Sequence, residues 1–258
     1  MSIPKIIHQI WWQGHENIPK KMLENKITWK LNHKKYTFIL WDKYLFEKLL
    51  AKLNISILNE IYNDLPKMIQ KIDFCKYVIL YNYGGIYVDI DTISEKPIDK
   101  FLSMGDLVIS KIKIFKYFDF YLINNGIIFS KKKHLFFNYL IKEIYKNRFK
   151  KYYQTNDLYI LNSTGPMVFS RAVIKYVNSE KYNKKNIIIL NHNYFESIEL
   201  DNKLYTKGLY ITHLHDGSWM SSSFKFHLKI FKYIDNNRLK TFFIMLIMII
   251  IILYYNII

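Results

Sequence analysis

The stretch KIDFCKYVILYNYGGIYVDID, residues 71–91, limits what this chain can fold into more than any other. Pro66 stands at the head of a segment in which Ile69, Ile72, Tyr77 and Leu80 give a broad apolar face at helical spacing. Gly84 and Gly85 end that segment, as glycine does where the chain must take a left-handed turn. A β-branched run, Ile86 to Ile90, follows at once. The pattern predicts a helix from Pro66 to about Tyr81, a two-glycine break and a strand. A helix feeding directly into an apolar strand is a unit of an α/β sheet.

The flanking sequence extends this reading. Lys5–Trp11 reads as a buried first strand, Gly14–Lys20 as a loop and Lys20–Asn32 as a helix. Tyr36–Trp41 reads as a second strand, with Asp42 as the N-cap of a helix over Tyr44–Lys52. Asp106–Ser110, Gly126–Phe129, Ile187–Leu190 and Leu209–Leu214 are further short strands. Lys131–Lys150 reads as a basic amphipathic helix, and Thr164–Pro166 as a turn into another. Strands and helices in this order predict an α/β nucleotide-binding domain. A composition shift near Ser221–Ser223 separates a globular domain, residues 1–222, from an appendage, residues 223–258.

The appendage ends in FFIMLIMIIIILYYNII, residues 242–258, which carries no charge. Its length is at the short end of a bilayer span, and it is apolar on every face. A buried core helix has the same composition, but a chain-terminal run with Lys225, Lys229, Lys232, Arg238 and Lys240 before it favours a C-terminal transmembrane helix. Basic residues on that flank place the main domain on the cytoplasmic side. The N-terminus lacks the shape of a signal peptide. The net charge of +17 favours anionic partners; with Arg scarce, acidic lipid fits better than nucleic acid. The helix 131–150 is a solvated face or lies against such lipid. Cys75 is the only cysteine, which rules out an intramolecular disulfide and a cysteine-based zinc site.

Asp89 and Asp91 are the chemistry-bearing pair. In a strand, residues two apart share a face, so Tyr87, Asp89 and Asp91 point one way and Ile86, Val88 and Ile90 the other. At the carboxyl end of an α/β strand that first face opens on the ligand crevice. Two carboxylates side by side repel unless a cation sits between them, and a hard divalent ion with oxygen ligands satisfies both. As a bare tripeptide, D-x-D is also the pattern of a solvated turn or an N-cap. Asp73 and Lys76, three apart on the predicted helix, share a face, either as a surface ion pair or as a ligand contact. His213 and His215 share a face if their segment is extended, as two metal ligands would. His8 is expected to be a satisfied core histidine, and Trp12 to pack in the core.

Residues 71–91 closely resemble the sugar-nucleotide-binding segment of the DXD-containing glycosyltransferases of family 32, which include yeast-type mannosyltransferases and capsular sugar transferases, and the catalytic segment of the large clostridial glucosylating toxins. IPKIIHQIWWQG, NNGIIFS, TGP and HLHDGSW resemble that family's other blocks, in order, over about residues 3–222. The resemblance implies a GT-A fold: a Rossmann-like mixed sheet with flanking helices. It implies a nucleoside-diphosphate sugar donor, UDP- or GDP-linked, held with Mn²⁺ or Mg²⁺. By the same resemblance Asp91 is the principal metal ligand and Asp89 meets the ribose or sugar and the metal. His213 is a third ligand, with His215 as its substitute. Asp73 and Lys76 hold the donor sugar, lysine standing where the family usually has arginine. Trp11 stacks on the nucleobase, Tyr87 contacts the donor, and Ser218 and Trp219 close over the diphosphate.

The implied reaction retains anomeric configuration: a hexose passes to a glycan, glycolipid or protein acceptor while Lys76 and the metal neutralise the leaving diphosphate. Two other classes compete. A metal-dependent nuclease or nucleotidyltransferase also uses paired carboxylates but needs further acids for a second metal, and Glu95 and Asp99 near the pair follow no clear pattern. A non-enzymatic membrane-surface protein would leave Asp89 and Asp91 without a task.

Overall fold

The computed structural model describes residues 2–113, 121–179, 186–196, 198–200 and 204–237. The first half of the chain forms β1 (Ile6–Ile10), α1 (Lys20–Asn32), β2 (Thr37–Trp41), α2 (Lys43–Leu53), α3 (Ser56–Asp64), α4 (Met68–Tyr83), β3 (Gly85–Val88), β4 (Thr92–Ser94) and β5 (Leu107–Lys113). Then come β6 (Tyr121–Ile123), β7 (Ile127–Ser130), α5 (Phe136–Asn147), α6 (Asn156–Ser163), α7 (Pro166–Val177) and β8 (Ile187–Leu190). Strands β9 (Ile198–Leu200), β10 (Leu204–Thr206) and β11 (Ile211–His213) precede α8 (Ser222–Asn236).

Seven strands form one mixed sheet in the order β2-β1-β3-β7-β5-β6, with β8 also paired to β5. β1 runs parallel to β2 and to β3, while β7 is antiparallel to both β3 and β5. Both faces of the sheet are covered, and the period of two decides which residue goes where. Tyr87, Leu107, Ile109 and Ile128 pack with Phe74, Val78, Phe136 and Phe169 from the helices on one side. Ile86, Val88, Val108, Ile127 and Phe129 pack with Trp29, Phe101 and Phe195 on the other. Tyr87 is therefore not a crevice residue as strand alternation predicts; its ring is buried in the helical face of the core.

α4 is buried almost all round, which is why its apolar pattern is broad rather than a narrow stripe. Cys75, near its middle, is fully buried. Its end is set by Gly84, at φ 67° and ψ −164°, and Gly85, at φ 99°. A Cβ on Gly84 would lie 2.6 Å from Lys132 N, and one on Gly85 2.6 Å from Ile6 O. The pair is needed both for its backbone angles and for close approach. His8 fastens this corner: Trp41 Nε1 donates to its Nδ1 at 3.1 Å, and its Nε2 then donates to Gly84 O at 2.9 Å.

Several boundaries differ from the sequence reading for identifiable reasons. α3 and α6 carry no expectation from sequence; α3 is a short helix with Leu58, Ile61 and Tyr62 buried, and α6 starts where the Thr155 side chain accepts from Leu158 N. The helix expected over 131–150 begins only at Phe136, because Lys133 takes φ 62° and His134 Nδ1 accepts from Phe136 N. Asp42 caps α2 as expected, accepting from Leu45 N at 2.8 Å.

The described residues divide into two compact units, one from the spans 2–112 and 122–217, the other residues 113 and 121 with 218–237. In the second, the Ser221 hydroxyl accepts from Phe224 N to start α8, a helix with Lys225, Lys229 and Lys232 beside exposed Phe226, Phe231 and Tyr233. The apolar run 242–258 lies outside the described residues, and no helix among the described residues is long and apolar enough to cross a membrane.

Candidate active site

Topology brings the chemistry to one sheet edge. Because β1 and β3 are parallel, with His8 opposite Tyr87, the residues after Ile10 and after Val88 emerge at the same edge. Because β7 is antiparallel to β3, with Val88 opposite Ile127, the loop Asn124–Gly126 that precedes β7 arrives there too. β11 pairs antiparallel with β4, setting His213 opposite Thr92, and so delivers the late histidines beside the aspartates.

The strand ends at Val88, and the aspartates lie in the turn after it, not on one face of a strand. Thr92 N and Thr92 Oγ1 both donate to Asp89 O, at 3.2 and 2.5 Å, and Asp89 N donates to Gly126 O at 2.8 Å. This turn, with Ile90 buried against Ile18 and Met22, holds the two carboxylates together. A Cβ at position 126 would lie 2.4 Å from Asp89 Oδ2 and 2.9 Å from His213 Cε1, so only glycine leaves room for the cluster. Trp11 packs against the same small group of residues as Ile90, its indole N–H donating to Asn17 O at 3.0 Å. Trp12 packs on Phe46 and Tyr62, in the core as expected.

His213 Nε2 is 3.3 Å from Asp91 Oδ1 and 3.7 Å from Asp89 Oδ2. Asp91 Oδ2 accepts from Asp216 N at 3.0 Å. One carboxylate oxygen from each aspartate and an imidazole nitrogen of His213 fall within 4.8 Å of one another. Two anionic oxygen donors and an imidazole nitrogen suit a divalent cation such as Mn²⁺ or Mg²⁺, so the residues fit the ion that the resemblance implies. His213 and His215 do lie together, their rings stacked at 4.0 Å, but not as neighbours on an extended face: His215 takes φ 49° beyond the end of β11. His215 Nε2 is bonded to Glu196 Oε2.

Burial works against charge here, and neighbours overrule it. It pushes Asp91 up, but hydrogen bonds and charge from His213 and the Asp216 N–H hold Asp91 well below the usual carboxylate range. It pushes the His213 imidazole down, but Asp91 and Glu196 raise it well above the usual histidine range. Burial likewise pushes Glu196 up, and His215 and His213 bring it below its ordinary value.

Asp73 and Lys76 form no surface pair. Lys76 Nζ is 2.8 Å from Asp73 Oδ1 and 3.7 Å from Asp89 Oδ1, with the lysine side chain 3% exposed. Asp73 also accepts from Asn125 Nδ2 at 3.2 Å and from the Thr164 hydroxyl at 3.1 Å. Tyr77 OH accepts from Asn125 and donates to Thr164 O. Burial alone would push the Lys76 ammonium down, but Asp73 and Asp89 outweigh it and raise it. Burial pushes the Asp73 carboxyl up, and the ammonium and Thr164 hydroxyl pull it back. The Tyr87 hydroxyl donates to Asp89 Oδ1 at 2.7 Å, so Tyr87 reaches the site only by its tip.

The structure thus brings Asp73, Lys76, Tyr87, Asp89, Asp91, His213 and His215 together. Ser218 and Trp219 belong to the second unit, in a turn before α8. Glu95 and Asp99 stand apart: Glu95 accepts from the Thr212 hydroxyl and Asp99 pairs with Lys5. Among the described residues, neither supplies the second acid cluster a two-metal nuclease needs. Sequence reasoning missed Asn124, Asn125, Thr164 and Glu196. The first three lie in the NNG and TGP blocks, where the resemblance was visible but no role was; Glu196 carried no signal at all.

The family pattern described as "glycosyltransferase sugar-binding region containing DXD motif" matches residues 19–108. The chain is 33% identical over 249 residues to an uncharacterized glycosyltransferase of Acanthamoeba polyphaga mimivirus, an alignment that covers 94% of this chain and 92% of the relative. It is 30% identical over 181 residues to inositol phosphoceramide mannosyltransferase 1 of Schizosaccharomyces pombe, covering 68% of this chain and 53% of that one. The chain therefore spans nearly all of the viral relative but about half the length of the yeast one. Among solved structures, the glycosyltransferase domain of the YGT toxin superposes at TM-score 0.53 and 10% identity, over 73% of this chain and 80% of that domain. The PaToxG glycosyltransferase superposes at TM-score 0.50 and 22% identity, over 67% and 70%. These superpositions bear on the fold, a GT-A-like mixed sheet with flanking helices.

Proposed function

Since the chain belongs to the glycosyltransferase family whose sugar-binding region contains the DXD motif, we propose that it transfers a hexose from a nucleoside-diphosphate sugar, with retention, through a divalent ion held by Asp89, Asp91 and His213. The observation that carries this reading is the convergence of those three side chains beside the enclosed Asp73–Lys76 pair. When bound, Mn²⁺ or Mg²⁺ supplies Lewis-acid stabilisation of charge on the departing diphosphate. The chain's own residues do the rest. Asp73, fixed by three donors, offers a rigid carboxylate to sugar hydroxyls. Lys76 holds Asp73 and Asp89 in place, and the Tyr87 hydroxyl fixes Asp89 Oδ1. Preorganised charge of this kind is commonly the largest contribution to rate.

The roles that the resemblance gives Trp11, Ser218 and Trp219, stacking on the nucleobase and closing over the diphosphate, belong to this proposal and rest on sequence alone. The mannosyltransferase names among the relatives make mannose the first sugar to test and an inositol-phosphoceramide-like glycolipid the first acceptor, ahead of glycans and proteins. The run 242–258 carries a second part: a single pass near the C-terminus with the catalytic domain facing the cytoplasm, tested by carbonate extraction and protease protection.

The test of the main reading is a thermal-unfolding panel of UDP- and GDP-sugars with and without Mn²⁺. The true donor raises the midpoint only with metal, in proportion to the logarithm of its excess over Kd. Asp91→Asn abolishes that rise. A panel with no metal-dependent shift, or an Asp91→Asn protein that responds like wild type, overturns the proposal.

A further inference from the structure

We propose that Glu196 is a positioning residue for the metal site: it holds His213 so that Nε2, and not Nδ1, is presented to the aspartates. The inference rests on the reading of Asp89, Asp91 and His213 as the ion's ligands.

Four observations converge on Glu196. It is buried, 3% exposed, yet faces two imidazoles. His213 Nδ1 lies 3.6 Å from Glu196 Oε1, a charge contact somewhat longer than a hydrogen bond, while its Nε2 faces Asp91. His215 Nε2 is bonded to Oε2. Asn124 Nδ2 donates to Oε1, and the amide cannot turn round because Asn124 Oδ1 accepts from Gly126 N at 2.6 Å. The backbone that makes room for Asp89 therefore also aims the amide that holds Glu196.

Glu196, His213 and His215 form a second group close enough to share an ion. The donor count decides between the two. Oε1 of Glu196 is engaged by Asn124 and Oε2 by His215, and the carboxylate is enclosed. At the aspartate pair, Asp89 Oδ2 faces only His213 among these polar contacts, and the Asp89 side chain is 29% exposed. The ion therefore belongs with the aspartates, and Glu196 stands behind the imidazole. A carboxylate that receives the second N–H of a ligating histidine fixes the ring and its tautomer, and its loss typically costs ~10–100-fold in metal affinity; Glu196 Oε1, 3.6 Å from Nδ1, stands on that side of the ring. Asn124, fixed by Gly126 N, holds Glu196 in place; His215, bonded to the other oxygen and stacked on His213, occupies that oxygen without being needed for the hold.

The experiment is a Mn²⁺ titration of the full chain, without nucleotide, read by the electron paramagnetic resonance of free Mn²⁺. Wild type, Glu196→Gln, Glu196→Asp, His215→Ala and Asp91→Asn are compared, each checked for its metal-free unfolding midpoint. Glu196→Gln is expected to weaken Mn²⁺ binding by ~10–100-fold with the metal-free midpoint near that of wild type, and Glu196→Asp to recover part of the loss. His215→Ala is expected to change affinity by less than about threefold, far below the loss that follows removal of a positioning carboxylate. Independently of any variant, long-range ¹H–¹⁵N spectra of wild type with diamagnetic Mg²⁺ are expected to place the His213 proton on Nδ1.

A Glu196→Gln protein that binds Mn²⁺ like wild type while Asp91→Asn does not overturns this inference alone. Loss of binding in His215→Ala, or a proton on Nε2 with Mg²⁺ present, also overturns it, making Glu196 a ligand rather than a support. Binding that survives in Asp91→Asn, or that wild type lacks, overturns the metal reading itself.

Discussion

His8 and His213 are both buried, yet they are driven to opposite states. His8 faces an indole N–H and a backbone carbonyl, and burial lowers its pKa to about 4 despite the carbonyl. His213 faces Asp89, Asp91 and Glu196, and Asp91 and Glu196 overcome burial and raise it. What surrounds a ring, not how deep it lies, decides its charge. The neutral one is closed, with both nitrogens paired inside the fold. The other sits where the acids outnumber the bases, and that imbalance is what a cation answers.

The same contrast can be pressed hardest at Lys76, the buried cation that two carboxylates keep charged. Lys76→Met leaves Asp73 without its cation and is expected to cost about 3–5 kcal/mol in chemical denaturation. A cost below about 1 kcal/mol would mean that neighbours do not govern charge here as the two histidines suggest.

His8 offers the next largest effect. Its folded pKa, about 4, is below the ordinary 6.5. Above pH 6.5 neither state is protonated and stability is whole; as pH falls towards 4 the unfolded chain takes up a proton that the native state refuses. That drop is about 3 kcal/mol. Denaturation of wild type and His8→Gln across this window should show the variant with the flatter slope, and equal slopes would break the comparison on its neutral side.

On the charged side, Mn²⁺ at a hundredfold its Kd should stabilise wild type by about 2.7 kcal/mol, an effect reversed by a chelator. His213→Asn should lose that response, whereas His8→Gln should keep it. The smallest effect is expected at Gly126→Ala, whose new methyl must displace Asp89 Oδ2 or His213. Steady-state donor hydrolysis should fall about tenfold, equivalent to about 1.4 kcal/mol.

Much of this arrangement was legible in the sequence, and what was not has a physical reason. The helix, the glycine pair and the strand were readable because each is set by local rules of periodicity and backbone freedom. β8 and α1 match their expected spans for the same reason. The aspartate pair was found, but by strand alternation, and the geometry proved to be a turn closed by Thr92. Asp73 and Lys76 were paired correctly by spacing, while their burial depends on Asn125 and Thr164 from distant segments. Glu196 was invisible: a single acid between Phe195 and Ser197 shows nothing until β4 and β11 bring His213 back to it.

The enclosure of Cys75 within α4 has a practical side. It is the chain's sole thiol, and it sits where alkylating reagents meet only packed side chains. The native protein should resist such reagents until it unfolds, so labelling rate becomes a clock for opening of the central helix. A cysteine introduced on the surface could then carry a probe alone, with no native thiol to remove first.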